Sequence, residues 1–386
     1  MVALLAVAAS PAAANVDPLY AFTYGAETNL LVAYDPVRIV PSGAPIRMGR
    51  FAHAWSISPD RSRLVVAAGV RRPGEPTALR FVDLEHRRMA ATVTLQGEAR
   101  RVSATAWARD RVLVLVAGSR AATVYAIDPS GRAAVSSVEL AGQVVRGERR
   151  RNGLVLLLAP ADGIGPATLA LVDHSAHVRT VRLERVSAGT ALAAVGADRR
   201  ATIHRPALAL APSGKRAFVF GAGVSPAAVD LATLSVRYAP LRVPARVEKR
   251  ATGWVRSAAA LPDGRIVVSG FDYGKRGAIG LRLVDPADWS VRVLDRAATW
   301  FRVSGGHLFT RGRGGVGLRV VKPSGRAVDL FPTGSVGSVD VIGRRALVTF
   351  FGTGRRAAVV DLGTGGVVRH TVPAHPLLGA GQQIDG

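Results

Sequence analysis

The stretch LVAYDPVR, Leu31 to Arg38, is an apolar run of strand-forming residues cut off by Asp-Pro, and close variants of it return along the chain. FVDLEH, AIDPSG, LVDHSA, AVDLAT, LVDPAD, VVKPSG and VVDLGT put Asp83, Asp128, Asp173, Asp230, Asp285, Lys322 and Asp361 where Asp35 stands in the first, at spacings of 37 to 57 residues. Such a period belongs to a propeller blade or another mid-length repeat. Helical repeats of that length need apolar stripes at every third or fourth residue. RLVVAAG, VLVLVAG, LVLLLAP, AFVFGAG, RIVVSG and ALVTFF read instead as strands of five to seven residues.

A second turn precedes those strands, in SPDRSR, ARDRV, RRNGL, APSGKR, LPDGR, SGGHL and IGRRA. Pro, Asp and Gly supply the fixed φ and the left-handed position of a tight hairpin. Each unit therefore reads as strand A, a PDG-like turn, strand B, a loop, strand C, an Asp turn and strand D. The recurring Asp follows strand C, where its carboxylate can accept hydrogen bonds from backbone amides just ahead. It is read as a turn device rather than a catalytic group.

With the SPDR, APSG and LPDG turns and the apolar-Asp turns, the chain from about residue 18 to 386 resembles exported bacterial β-propellers of the YVTN and WD-repeat-like kind. That resemblance implies an all-β fold of four-stranded antiparallel blades. It implies no particular activity, because propellers host many. Seven units carry all four strands, starting near Phe51, Val102, Val144, Arg205, Gly253, Thr299 and Val336, and the segment from Leu19 to Met48 carries only B, C and D. A strand from the C-terminal end would complete it and remove both sheet edges. Eight blades are expected on this count, with seven as the alternative, in a single domain over residues 15–386.

The first residues, MVALLAVAASPAAA, combine an apolar run with small residues at Ala12 to Ala14, the pattern of a signal peptide over residues 1–14. The run is too short to anchor in a membrane, which takes about 20 apolar residues. A secreted or cell-envelope location follows, and no transmembrane segment is expected in the mature chain. Cysteine is absent, which excludes disulfides, thiolate metal sites and a cysteine nucleophile.

Charge is the other dominant feature: 51 basic against 27 acidic residues give a net +24, and only Lys215, Lys249, Lys275 and Lys322 are lysine. That bias also suits a genome rich in Arg, Ala, Gly, Val and Pro. Blade topology sorts the charges, since the A-to-B and C-to-D turns share one face of the disc and the B-to-C and D-to-A connections share the other. The B-to-C loops carry Arg71, Arg72, Arg120, Lys275, Arg276, Arg311, Arg313, Arg355 and Arg356, against few acids such as Glu75, Asp162 and Asp272. Trp254 and Trp300, in GWVRS and TWFRV, open two A strands and bring Arg256 and Arg302 with them. A cation beside an aromatic face suits sugars and anionic ligands.

Catalytic signatures are missing: no GxSxG elbow, HExxH helix or phosphate loop occurs. His174 and His177 have a metal-like spacing but sit in a turn with no third ligand nearby, so no metal site and no cofactor is assigned. The reading is a non-enzymatic propeller, expected to be a monomer, that binds an anionic polymer, an acidic protein or a charged small ligand through a basic face. Nucleic acid fits the arginines but not an exported protein. The alternative is a propeller hydrolase or lactonase with a metal in its channel.

Overall fold

The computed structural model describes residues 18–385 apart from segments 25–28, 36–39, 50–51, 69–76, 96–101, 131–133, 196–197, 241–252, 274–276, 312–314, 323–324, 332, 351–355, 365, 372–374 and 377–383. The signal-like residues 1–14 and the loop residues Arg71, Arg72, Lys275, Arg276, Arg313 and Arg355 lie outside the described residues.

Apolar runs become strands wherever the sequence pattern places them. The first sheet holds β1 (Leu19–Tyr24), β2 (Asn29–Tyr34) and β3 (Ile46–Gly49). The next two are meanders: β4 (Ala52–Ile57), β5 (Arg63–Ala68), β6 (Thr77–Asp83) and β7 (Arg88–Leu95), then β8 (Ala104–Ala108), β9 (Arg111–Ala117), β10 (Ala121–Ile127) and β11 (Ala134–Ala141). There follow β12 (Gln143–Arg150), β13 (Gly153–Ala159), β14 (Ile164–Asp173), β15 (Val178–Val195) and β16 (Asp198–Arg205). Beyond them come β17 (Ala207–Leu210), β18 (Arg216–Phe220), β19 (Ala227–Asp230) and β20 (Val236–Tyr238), then β21 (Gly253–Ala260), β22 (Ile266–Asp272), β23 (Gly277–Ala278), β24 (Leu281–Val284) and β25 (Val291–Asp295). The last meanders are β26 (Phe301–Ser304), β27 (His307–Thr310), β28 (Leu318–Val321) and β29 (Ala327–Phe331), and β30 (Val336–Ile342), β31 (Arg345–Phe350), β32 (Arg356–Asp361) and β33 (Val367–Thr371). Two short strands end the chain, β34 (His375–Pro376) and β35 (Ile384–Asp385).

Six antiparallel sheets of four strands each stand alone as blades among the described residues, and a seventh sheet has eleven strands. The expectation of eight separate blades, or seven, is therefore corrected to six. The strands β12–β15 and β21–β25 do not stand apart because β15 continues for 18 residues and hairpins with β16, which pairs in parallel with β21. Gly253 makes that junction possible: its φ is +119°, and a Cβ there would lie 2.0 Å from the carbonyl oxygen of Ile203. β34 joins the first sheet by pairing with β1, Phe22 opposite His375.

Cores lie between neighbouring sheets. Leu64, Val66 and Val82 pack with Tyr20, Phe22 and Leu31 across the first gap, and Val65, Ala67 and Phe81 with Trp107, Val112 and Val114 across the next. Strand alternation thus feeds both sides of each sheet, so these strands read as continuous apolar runs. Removing such area from water, at roughly 25 cal/mol per Å², is what holds the sheets together in a chain without disulfides.

The two turn families have the chemistry the sequence implies. Asp230 accepts from the amides of Ala232 and Thr233 at 2.9 and 3.0 Å, Asp361 from Gly363 and Thr364 at 2.8 and 3.0 Å, and Asp285 from Ala287 at 2.9 Å. Lys322 has no such carboxylate, yet its turn keeps the backbone bond from Gly325 to its carbonyl. In the A-to-B turns the left-handed position is taken by Gly214 and Gly264 but also by Arg61, at φ +58°.

Candidate functional site

The face carrying the D-to-A connections gathers the unusual polar chemistry. Here β21 begins with Gly253 and Trp254, and β22 ends at Asp272, directly opposite Trp254 in register. Arg256, two residues further, faces Gly270, where a Cβ would come 2.7 Å from the Arg256 Cδ. The glycine leaves room for a buried guanidinium. Its Nη2 lies 2.7 Å from Asp272 Oδ1, and Nη1 donates to the carbonyls of Val255 at 3.0 Å and Phe271 at 3.3 Å. Burial lowers the pKa of Arg256, and the Asp272 carboxylate opposes that shift.

Trp254 stands between this pair and a histidine. The Arg256 guanidinium carbon is 5.5 Å from the centre of its ring, and the imidazole of His204 stacks on it at 5.1 Å with a 28° tilt. β16 carries His204 to this place, because parallel pairing sets it opposite Trp254. His204 Nδ1 is 2.9 Å from Ser187 Oγ, and burial lowers the pKa of the ring. From the facing wall, Arg146 of β12 donates to the backbone oxygen of Arg256 at 3.4 Å. Trp254 is 6% exposed and Arg256 0%. Both therefore form the wall of the site rather than its open surface.

The second Trp is more accessible. Trp300 is half-buried just before β26, and it is Arg311, not Arg302, that lies over its ring, at 5.0 Å. Arg311 is held there by a 3.0 Å bond to the carbonyl of Val336, while Thr310 donates to the carbonyl of Trp300 at 2.9 Å. Arg302 is half-buried on β26, two residues along. Neither Arg302 nor Arg311 forms an ion pair with a carboxylate among the described residues. Arg120 is exposed and reaches Asp162 at 3.5 Å, and Arg356 is described only as the first residue of β32.

Trp254 and Arg256, which the sequence puts on one strand, touch each other here, and three partners carry no sign in the sequence. Asp272 read as a loop acid because strand β22 runs further than its apolar core. Ser187 and His204 gave no local signal at all. His177 meets Asp173 at 3.4 Å on the surface, and no group of three metal-binding side chains occurs among the described residues. On the opposite face, a cleft of about 330 Å³ lies between Phe218, Tyr238 and Trp289, with Arg216, Arg237 and Asp230 at its sides. No helix among the described residues is long and apolar enough to cross a membrane.

No family model matches the chain, and no curated protein does. Solved propellers do. Dihydro-heme d1 dehydrogenase NirN in complex with DHE superposes with a TM-score of 0.60 over 94% of this chain and 74% of that one, at 14% identity. AztD from Citrobacter koseri gives 0.54 over 93% of this chain and 95% of that one, at 12% identity. A prolyl endopeptidase gives 0.51 over 84% of this chain and 50% of that one, at 15% identity. At these identities the likeness establishes the β-propeller fold and leaves activity to the site itself.

Proposed function

We propose that the protein is an exported, non-enzymatic propeller that binds an anionic partner through the face bearing its D-to-A connections. The observation that carries this reading is Trp300 under the guanidinium of Arg311, with Arg302 beside it. Arg256, Arg111, Arg265 and Arg319 are each paired with a carboxylate, Asp272, Asp128, Asp263 and Asp329 respectively. Arg302 and Arg311 have no carboxylate partner among the described residues and stand at a half-buried aromatic, where an anion can be held by guanidinium hydrogen bonds while an apolar part rests on the ring. The net charge of +24 favours encounter with any such partner. An anionic polymer of the cell envelope, an acidic protein surface and a charged small ligand all meet this chemistry.

Two double variants test it. Arg302→Glu with Arg311→Glu changes the proposed site, and Lys215→Glu with Arg237→Glu makes the same charge change on the opposite face. Affinity for polyglutamate at near-physiological salt should fall for the first at least about tenfold more than for the second, or roughly 1.4 kcal/mol. Equal losses would reduce the binding to general polycation behaviour.

A hydrolytic reading draws on one contact, Ser187 Oγ beside the imidazole of His204. A nucleophile and base so placed need a third group to orient the ring, and no carboxylate pairs with His204 among the described residues. Labelling by a fluorophosphonate probe that disappears in Ser187→Ala would favour it over the binding reading.

A further inference from the structure

β12 and β21, which open the two meanders of the eleven-stranded sheet, each turn one edge toward the channel, and both edges are covered. β16 covers that of β21, and β35 covers that of β12, with Ile384 opposite Gly147 and Asp385 opposite Arg146. β35 is not needed to close the ring, because β34 already completes the first sheet. Eight residues later the chain reaches a different sheet, a step that extended backbone spans up to about 27 Å.

What waits there is a fitted slot. Ile384 is 1% exposed and packs with Val144, Leu154, Leu156 and Leu158 and with Ala104 and Ala106 of the preceding blade. The slot exists because residue 147 is glycine: a Cβ would lie 2.7 Å from Ile384 Cγ2 and 2.8 Å from Leu156 Cδ2. Glycine inside a strand normally weakens it, and a close approach is one of the reasons to keep one. Here the approaching group is a branched aliphatic side chain carried on a two-residue strand.

We propose that the channel edge of β12 is a strand-accepting site for an extended peptide bearing a branched aliphatic residue, and that Ile384–Asp385 is its resident, displaceable occupant. Backbone pairing supplies the attachment and the pocket over Gly147 supplies selectivity, the division of labour in strand addition to a sheet edge. The short pairing, two residues long, suits an occupant that leaves, and covalent tethering raises its local concentration enough to keep the slot filled. This inference stands independently of the anion-binding reading.

The test uses the full chain and a labelled peptide, acetyl-Gly-Gln-Gln-Ile-Asp-Gly-amide, the sequence of residues 381–386. Ile384→Asp ejects the resident side chain and should bind the peptide at least tenfold more tightly than the parent protein. Ile384→Ala, a milder change that keeps the protein folded if the charge does not, should give a smaller gain of about threefold. Adding Gly147→Val to either should abolish the gain. Equal binding by parent and variants, or none by any of them, overturns the proposal. Residency is checked separately in this cysteine-free chain. Opposed antiparallel residues lie about 4.5–5.5 Å apart, within reach of a disulfide. Arg146→Cys with Asp385→Cys should therefore cross-link in most molecules under mild oxidation, whereas Glu148→Cys with Asp385→Cys should not. Failure of the first pair to cross-link more than the second overturns the resident strand.

Discussion

Arg256 and Asp272 meet at 2.7 Å with side chains 0% and 4% exposed, a fully enclosed ion pair at the rim of the channel. Each charge has left water, and the cost is offset only while the other is present. Asp272→Ala should destabilise the protein by about 3–5 kcal/mol, because the guanidinium stays buried without its counter-charge. Replacing both, Arg256→Met with Asp272→Leu, should recover most of that loss. Urea unfolding reads both, and a double variant as unstable as the single one would show that the charges do not depend on each other.

The Asp turns predict acid sensitivity. Asp83, Asp128, Asp230 and Asp361 are held below the usual carboxylate range, first of all by the amides of His86, Ser130, Thr233 and Thr364. A depressed folded pKa gives stability that is fully present above the unfolded value of about 3.9 and is lost as pH falls through the folded one. Melting temperature should therefore be flat in this contribution from pH 7 to 5 and decline below about pH 4. Asp230→Asn with Asp361→Asn keeps a turn-forming side chain that does not titrate, and should flatten the decline. An unchanged acid slope would place its origin elsewhere.

Gly253→Ala tests the junction that fuses two meanders into the eleven-stranded sheet. At φ +119°, with Ile203 O 2.0 Å from the position of a Cβ, alanine has neither the conformation nor the space. The expected loss exceeds about 1 kcal/mol. Hydrogen exchange should quicken in β16 and at the start of β21 while the four-stranded sheets stay protected; uniform protection would mean the parallel pairing is dispensable.

Arg61→Gly should stabilise. Its amide bonds to Ser58 O at 2.9 Å, the same bond that Gly214 makes to Ala211 and Gly264 to Leu261, and φ is +58°. Left-handed backbone costs a non-glycine residue about 1 kcal/mol, against glycine's larger unfolded-state entropy. A gain of up to about 1 kcal/mol in denaturant unfolding is expected, and a loss would show that the Arg61 side chain contributes more than its backbone costs.

Export predicts a processed chain. N-terminal sequencing of the protein from its native host should begin at or near Asn15, after the Ala12 to Ala14 run. Recovery of a cytosolic protein that keeps Met1 would remove envelope polymers from the partners considered.

The sequence by itself determined the turns and the strands between them. An Asp two residues ahead of the amides it accepts, or a glycine three residues beyond the carbonyl it closes on, is chemistry confined to a few neighbours, so Asp230 and Gly264 announce their roles locally. The first strands of the meanders followed from that spacing, and so did Trp254 beside Arg256, two residues apart on one strand. Tertiary structure alone decided which edges meet. Ile203 finds Gly253, Arg146 reaches Arg256 and Ile384 settles over Gly147 across separations of 50, 110 and 237 residues. Nothing in the flanking residues encodes those meetings, because they depend on how the whole ring curves and on where a missing side chain leaves space. The fused sheet, the buried Arg256–Asp272 pair and the strand in the channel all arise at that level: each is a fit between surfaces that exist only after the blades have formed.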